Sequence, residues 1–303
     1  MILFALPQYK SMGQELAREI PGLYFEKIAI MRFSNAELYT TVTSKVKGER
    51  CIILGSLAPP DEQLIAICLL THTLKQKGAL QVVGLFPYLG YARQDKAKTD
   101  QSHTLAWAGK ILTASGLDQI MTIDIHSQLA DQLVPIPIKS YLPTGLFKAG
   151  MPELHHAPDT TLIAPDEGAT GRAHALAREL KRDMPVVTFR KKRTTSSLVH
   201  TAPPKIILTK NAVIIDDILD TGGTLLSCVR QLKGAGVNSV VIAITHGLFT
   251  GSDWRKLFHF GVKHIYVTDS TPETRQNRTK RVCKISSIPL LQTIISDLLR
   301  QEP

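Results

Sequence analysis

The chain has 303 residues, 44% of them apolar, with a formal net charge of +10. That length favours two domains and that apolar content supplies two cores, so global disorder is excluded. No run approaches the ~20 apolar residues of a membrane span, and the first residues, Met1 to Pro7, lack a basic region leading into a long apolar stretch and a cleavage site. The expectation is a cytoplasmic enzyme with no membrane partner.

The positive balance fits an anionic partner, either nucleic acid or phosphorylated small molecules. The basic clusters at 190–193 and 275–281 carry no interleaved aromatics for stacking bases, so nucleic acid is not expected. Cys51, Cys68, Cys228 and Cys283 have no metal-type spacing and read as buried thiols.

In chain order, Cys51-Ile-Ile-Leu-Gly-Ser reads as a strand, followed by a helical stretch ending Leu74-Lys-Gln-Lys-Gly-Ala and the strand Gln81-Val-Val-Gly-Leu-Phe. Beyond it, Tyr88-Leu-Gly-Tyr-Ala-Arg93-Gln94-Asp95 offers aromatic faces, a guanidinium and an amide. That set suits a nucleotide with its phosphates, and equally a solvated loop. The next strand, Gln119-Ile-Met-Thr-Ile-Asp, runs into Asp124-Ile-His126-Ser127, where His126 is a metal ligand or a satisfied polar residue. The Pro-rich segment 134–143 is the expected linker between domains 1–140 and 141–303, with the last helix free to pack on the N-terminal domain.

Ala164-Pro-Asp166-Glu-Gly168-Ala-Thr-Gly171-Arg is a strand-to-helix turn with an acid and two glycines. Arg190-Lys191-Lys-Arg193 leads into Thr194-Thr-Ser-Ser197, which is either a solvated face or a mobile loop whose cations close over a phosphoryl group. Val213-Ile-Ile215 reads as a buried parallel strand, with Asp216 and Asp217 at its carboxyl end and an apolar helix period from Leu225 to Leu232.

Between strand and helix lie Asp220, Thr221, Gly222, Gly223 and Thr224. The glycines can take positive φ and admit a phosphate, the threonine hydroxyls add donors, and the helix N-terminus adds partial positive charge. The carboxylates can accept from ribose hydroxyls or hold Mg²⁺ through water. This stretch is built to hold a phosphorylated sugar.

The strand–helix–strand order of 51–86 recurs in 212–244. Ala212-Val-Ile-Ile-Asp-Asp is followed by a helix ending Leu232-Lys-Gly-Ala-Gly-Val, the strand Ser239-Val-Val-Ile-Ala-Ile and later His264-Ile-Tyr-Val-Thr-Asp. Such repetition implies two α/β domains with mainly parallel sheets flanked by helices, and ligands beyond the carboxyl ends of the strands. The copies are unequal, since Gly55-Ser56-Leu57-Ala58-Pro59-Pro60 stands where the second has its acidic turn.

Five ordered motifs closely resemble the ribose-phosphate pyrophosphokinase family: Pro87-Tyr-Leu-Gly-Tyr-Ala-Arg-Gln-Asp95, Asp124-Ile-His126, Pro165-Asp166-x-Gly168, the 216–224 loop and Thr245-His-Gly-Leu-Phe-Thr-Gly251. The resemblance spans residues 3–299 and implies two tandem phosphoribosyltransferase-like domains. It implies transfer of the β,γ-diphosphoryl group of ATP to the 1-hydroxyl of ribose 5-phosphate with Mg²⁺, a step of nucleotide biosynthesis.

By matching position, Lys191 and Arg193 would be the catalytic cations. Arg93, Gln94, Asp95 and His126 would contact ATP, and His126 and Asp166 would hold the metal. Asp216 and Asp217 would meet the ribose hydroxyls and Asp220, Thr221, Gly222, Gly223 and Thr224 the 5-phosphate. Phe33, Asn35 and Glu37 would reach the adenine of a neighbouring subunit in a homo-oligomer.

Asn35-Ala36 replaces the Asp-Gly usual in the family, and Thr99-Asp-Gln-Ser-His-Thr-Leu-Ala-Trp107 is poor in cations, so neither base preference nor phosphate activation carries over. The competing readings are a phosphoribosyltransferase and a catalytically silent regulatory homologue.

Overall fold

The computed structural model describes residues 1–94, 102–156, 159–193, 198–201 and 209–300. In its first part, strands run β1 (Ile2–Ala5), β2 (Tyr24–Glu26), β3 (Ala29–Arg32), β4 (Leu38–Thr41), β5 (Arg50–Leu54), β6 (Gln81–Phe86), β7 (Gln119–Ile123) and β8 (Ile138–Tyr141). The second part has β9 (Thr160–Ala164), β10 (Val186–Thr188), β11 (Arg190–Arg193), β12 (Leu198–Thr201), β13 (Asn211–Leu219), β14 (Ser239–Gly247), β15 (Val262–Thr268) and β16 (Val282–Ile285).

Two six-stranded sheets form, ordered β2-β1-β5-β6-β7-β8 and β10-β9-β13-β14-β15-β16. Every pairing within them is parallel. Position by position the two orders are the same, and each sheet is accompanied by one antiparallel two-stranded ribbon, β3-β4 or β11-β12.

The chain divides into a first unit, Met1–Tyr141 joined by the segment from Ile288 onward, and a second, Leu142–Ser287. Strand alternation explains the layering of each. In the first sheet Phe4, Cys51, Ile53, Val82 and Ile120 face the helices Glu62–Gln76 and Thr104–Ala114. Leu3, Ile52, Leu54, Val83 and Met121 face Lys10–Glu19 and Ile288–Arg300. In the second, Ala212, Ile214 and Ile242 pack on Gly223–Gly234, while Val213, Ile215 and Val241 pack on Thr144–Gly150 and Thr170–Leu180.

Four expectations change. The segment 134–143 is not simply a linker, because β8 lies within it and pairs with β7 at Ile138↔Ile120. An edge strand tolerates prolines just ahead of it, here Pro135 and Pro137. The strand at 213–215 extends through both aspartates to Leu219, since β14 continues beside it at Ile218↔His246 and Leu219↔Gly247. Residues 190–193 form a strand rather than a loop, paired with β12 at Lys191↔His200 and Arg193↔Leu198. Of the cysteines only Cys51 and Cys228 are buried, while Cys68 and Cys283 are half-buried. Asp95, residues 99–101 and residues 194–197 lie outside the described residues.

Helix Ile288–Arg300 buries Ile288, Leu291, Ile294, Ile295 and Leu298 against the first sheet, a gross apolar gain on the order of 10 kcal/mol. The Arg50 guanidinium donates through Nη2 to the carbonyl of Leu298 at 2.9 Å, satisfying an orphan group of the last turn, and through Nε to Gln81 Oε1 at 3.0 Å. Leu291→Ala should therefore destabilise the first unit by about 2–5 kcal/mol. Urea unfolding followed by hydrogen exchange in β1 and β5 checks this, and unchanged protection in those strands would contradict it.

Candidate active site

β9 and β13 are parallel neighbours, paired at Ile214↔Ile163, so the acids that follow are brought side by side. Asp166, just past β9, extends its carboxylate to the Ala169 backbone N–H at 3.2 Å and caps the short helical turn Glu167–Ala169. Asp217 is only 4% exposed, and its Oδ2 pairs with Arg172 Nη2 at 3.0 Å. The other guanidinium nitrogen of Arg172, Nη1, donates to the Gly168 carbonyl at 2.8 Å.

Asp216 accepts from the Asp217 backbone N–H at 3.0 Å. Burial holds the Asp216 carboxyl well above the ordinary carboxylate range, the negative charges of Asp217 and Asp166 push it further up, and Arg172 opposes them. The Cys228 thiol, one turn into the helix Gly223–Gly234, is also pushed up, by its own burial and then by Asp216 and Asp166.

The turn from β13 to that helix contains Asp220, Thr221 and Gly222. Gly222 has φ +88°, and a Cβ there would lie 2.9 Å from the Trp254 Cα, so both conformation and space demand glycine. Gly223 differs, since a side chain there would meet open space. Thr221 and Gly223 are exposed and Thr224 half-buried, leaving this helix start open to a ligand.

The turn is backed by the segment after β14. The Leu248 and Phe249 N–H groups donate to the Leu219 carbonyl at 2.9 and 3.1 Å, and Phe249 packs on buried Trp254. The segment is anchored in turn by Thr271 and Thr274, whose hydroxyls donate to the Gly247 carbonyl at 2.7 and 3.1 Å.

In the first unit, Arg93 is exposed and Gln94 half-buried in the turn after β6, while His126 is exposed after the neighbouring β7. Their approach is shaped by Gly90, where a Cβ would sit 2.1 Å from the Leu57 carbonyl oxygen, and by Tyr91, held at φ +63°. The Tyr91 hydroxyl donates to Asp61 at 2.5 Å, and burial with that bond pushes the phenol up to about 12.

Phe33, Asn35 and Glu37 form the exposed tip of the β3-β4 ribbon. Phe33 stacks on Tyr39 at 4.3 Å, and Asn35 Oδ1 accepts from the Glu37 N–H at 3.2 Å. Ala36 has φ +69°, a conformation that suits the glycine usual in the family better than alanine.

The structure thus brings together Asp166, Asp216 and Asp217, and places Arg93, Gln94 and His126 beyond adjacent strand ends of the first unit. His126 and Asp166 lie in different units, and Lys191 and Arg193 share the β11 strand. Among the described residues no group of three or more His, Cys, Asp or Glu side chains forms a metal cage. Arg172 and Trp254 carry local structure that sequence reading left unassigned. Arg172 had a signal, an arginine one helical turn beyond Gly168; Trp254 had none, because its role is contact across the chain.

Two parallel-sheet units of one strand order, with acids on and beside β13 and a glycine turn after it in the second, define a tandem phosphoribosyltransferase-type protein. Residues 1–116 match the profile for the N-terminal domain of ribose phosphate pyrophosphokinase and residues 154–261 that for the phosphoribosyl transferase domain. Ribose-phosphate pyrophosphokinase from Bacillus caldolyticus is 26% identical over 97% of this chain and 93% of its own, and that from Campylobacter jejuni 27% identical over 92% and 91%.

In fold, the crystal structure of phosphoribosylpyrophosphate synthetase from Mycobacterium smegmatis is similar with a TM-score of 0.85, at 24% identity and 98% coverage of both chains. The chain belongs to the ribose-phosphate pyrophosphokinase family.

Gly222→Ala should cost about 2 kcal/mol or more, from left-handed strain and the collision with Trp254, while Gly223→Ala stays within about 0.5 kcal/mol of wild type. Denaturant unfolding of both variants decides, and equal costs would refute the distinction.

The raised Asp216 carboxyl has a signed consequence for stability. The folded state binds this proton more tightly than the unfolded chain does, near the ordinary value of 3.8, so the favourable contribution is complete at low pH and is lost as pH rises through the folded value. Asp216→Asn should therefore melt higher than wild type at neutral pH without ligands, with the gap closing toward acid. A pH series of melting temperatures tests this; a constant gap would remove the titration from the account.

Proposed function

We propose that this chain transfers the β,γ-diphosphoryl group of ATP to the 1-hydroxyl of ribose 5-phosphate, giving phosphoribosyl pyrophosphate and AMP. The supporting observation is the second unit's pairing of an open, glycine-demanding helix start with crowded carboxylates just past β9 and within β13. N–H groups and hydroxyls of 220–224 bind the 5-phosphate, and Asp216 accepts from the ribose hydroxyls. Arg93, Gln94 and His126 of the first unit contact ATP, and Phe33, Asn35 and Glu37 reach the adenine of a neighbouring subunit in a homo-oligomer.

Asp166 and Asp216 suit Mg²⁺, because the ion usually takes one or two carboxylates and completes its shell with water and phosphate oxygens rather than needing a closed cage. Bound Mg²⁺ supplies charge neutralisation on the phosphates. The protein's own work is to aim the 1-hydroxyl in line and to stabilise charge on the equatorial oxygens, for which Lys191 and Arg193 are the candidates. No covalent nucleophile is required.

Formation of AMP and phosphoribosyl pyrophosphate from ATP and ribose 5-phosphate tests the reading directly; no AMP would leave a silent homologue or a phosphoribosyltransferase. Lys191→Ala or Arg193→Ala should lower kcat by orders of magnitude with KM nearly unchanged, because the charges act mainly in the transition state. A raised KM at normal kcat would make them binding residues.

For the shared site, mixing Phe33→Ala/Glu37→Ala chains with Lys191→Ala chains should restore up to about a quarter of wild-type activity after random subunit exchange in a symmetric dimer. No recovery in verified mixed oligomers would confine the site to one chain.

A further inference from the structure

The two adjacent aspartates of β13 stand in different surroundings. Asp217 follows the strand parity of Val213 and Ile215, the side that packs on helix Thr170–Leu180, and its partner Arg172 belongs to that helix. Asp216 has the parity of Ala212 and Ile214, the side of helix Gly223–Gly234, whose start is the proposed phosphate cradle.

Arg172 and Asp217 are both largely enclosed, with side-chain exposures of 13% and 5%. The guanidinium spans two elements, donating at 2.8 Å to the Gly168 carbonyl of the Asp166 turn and at 3.0 Å to the Asp217 carboxylate of β13. Arginine's planar fork is suited to this, since it holds two acceptors in a fixed mutual direction. The turn bearing Asp166 is thereby tied to the strand bearing Asp216.

We propose that Asp217 is a positioning residue rather than a sugar ligand: through Arg172 it locks the Pro165–Ala169 turn against β13, and Asp216 alone of the pair faces the ribose hydroxyls. This rests on the reading of the second unit as a ribose 5-phosphate site. It goes beyond that reading by dividing the two carboxylates between two tasks. An enclosed ion pair is sensitive to the loss of either member, because the survivor keeps an uncompensated charge.

The test compares Asp216→Asn, Asp217→Asn, Arg172→Met and the double variant Arg172→Met/Asp217→Asn by calorimetric titration of ribose 5-phosphate. It is run at a temperature where circular dichroism shows each protein fully folded. Wild type must bind; if it does not, the functional reading itself fails and this assignment falls with it.

Each single variant should weaken binding about tenfold or more, the loss typical of a charged hydrogen bond or of a disturbed site. The double variant should bind about as weakly as the worse single variant and no weaker, because Asp217 and Arg172 act on the sugar site through one shared lock. Wild-type affinity in both Arg172→Met and Asp217→Asn would make the pair merely structural and overturn the proposal. Losses that add up in the double variant would overturn it differently, by showing that the Asp217 carboxylate acts on the sugar independently of Arg172.

Discussion

Negative charge crowded just past one parallel strand and within its neighbour is the constraint around which the second unit is arranged. Parallel strands lie about 4.8 Å apart, so an acid just past the end of β9 and the acids within β13 beside it cannot avoid one another. With Asp166, Asp216 and Asp217 at that spot, one guanidinium has to enter from the side, and helix Thr170–Leu180 supplies it. Negative charge of this kind is what a divalent cation would offset, in keeping with the Mg²⁺ proposed for Asp166 and Asp216.

The first unit shows what the same topology looks like without that burden. Its counterpart of the acidic turn, 55–60, is filled by its own atoms: Ser56 is fully buried, its hydroxyl donates to the Tyr88 carbonyl at 3.0 Å, and Leu57 and Ala58 are buried beside it. Of that segment only Pro59 and Pro60 are exposed, whereas Thr221 and Gly223 are exposed at the helix start of the second unit. The ribbons correspond as well, since β3-β4 packs on helix Glu62–Gln76 as β11-β12 packs on Gly223–Gly234. One ribbon has an aromatic residue at its tip and the other a cationic run in its sequence, so a single architectural position carries two kinds of residue.

The repeated strand–helix order was legible because buried parallel strands are continuous apolar runs, as at 51–54, 81–86 and 239–244, and because each is followed by a glycine-bearing turn. The acid-and-glycine turn was legible for the same reason, its residues being contiguous. What escaped was set by partners distant in sequence. β8 reads as a Pro-rich linker until β7 is beside it, and β13 outruns its apolar core only because β14 continues alongside. The need for glycine at 222 but not at 223 comes from Trp254, more than thirty positions later, and the unequal surroundings of Asp216 and Asp217 come from Arg172 on another helix. Local pattern gives candidate chemistry, and tertiary contact then distributes the roles.

The helix Ile288–Arg300 completes the sheet face that begins at Ile2, although nearly the whole chain separates them. During synthesis the first unit must therefore emerge with Leu3, Ile52 and Met121 uncovered, while 142–287 already has all its layers before the last helix leaves the ribosome. The face of the first unit that is translated first is thus the last to be covered.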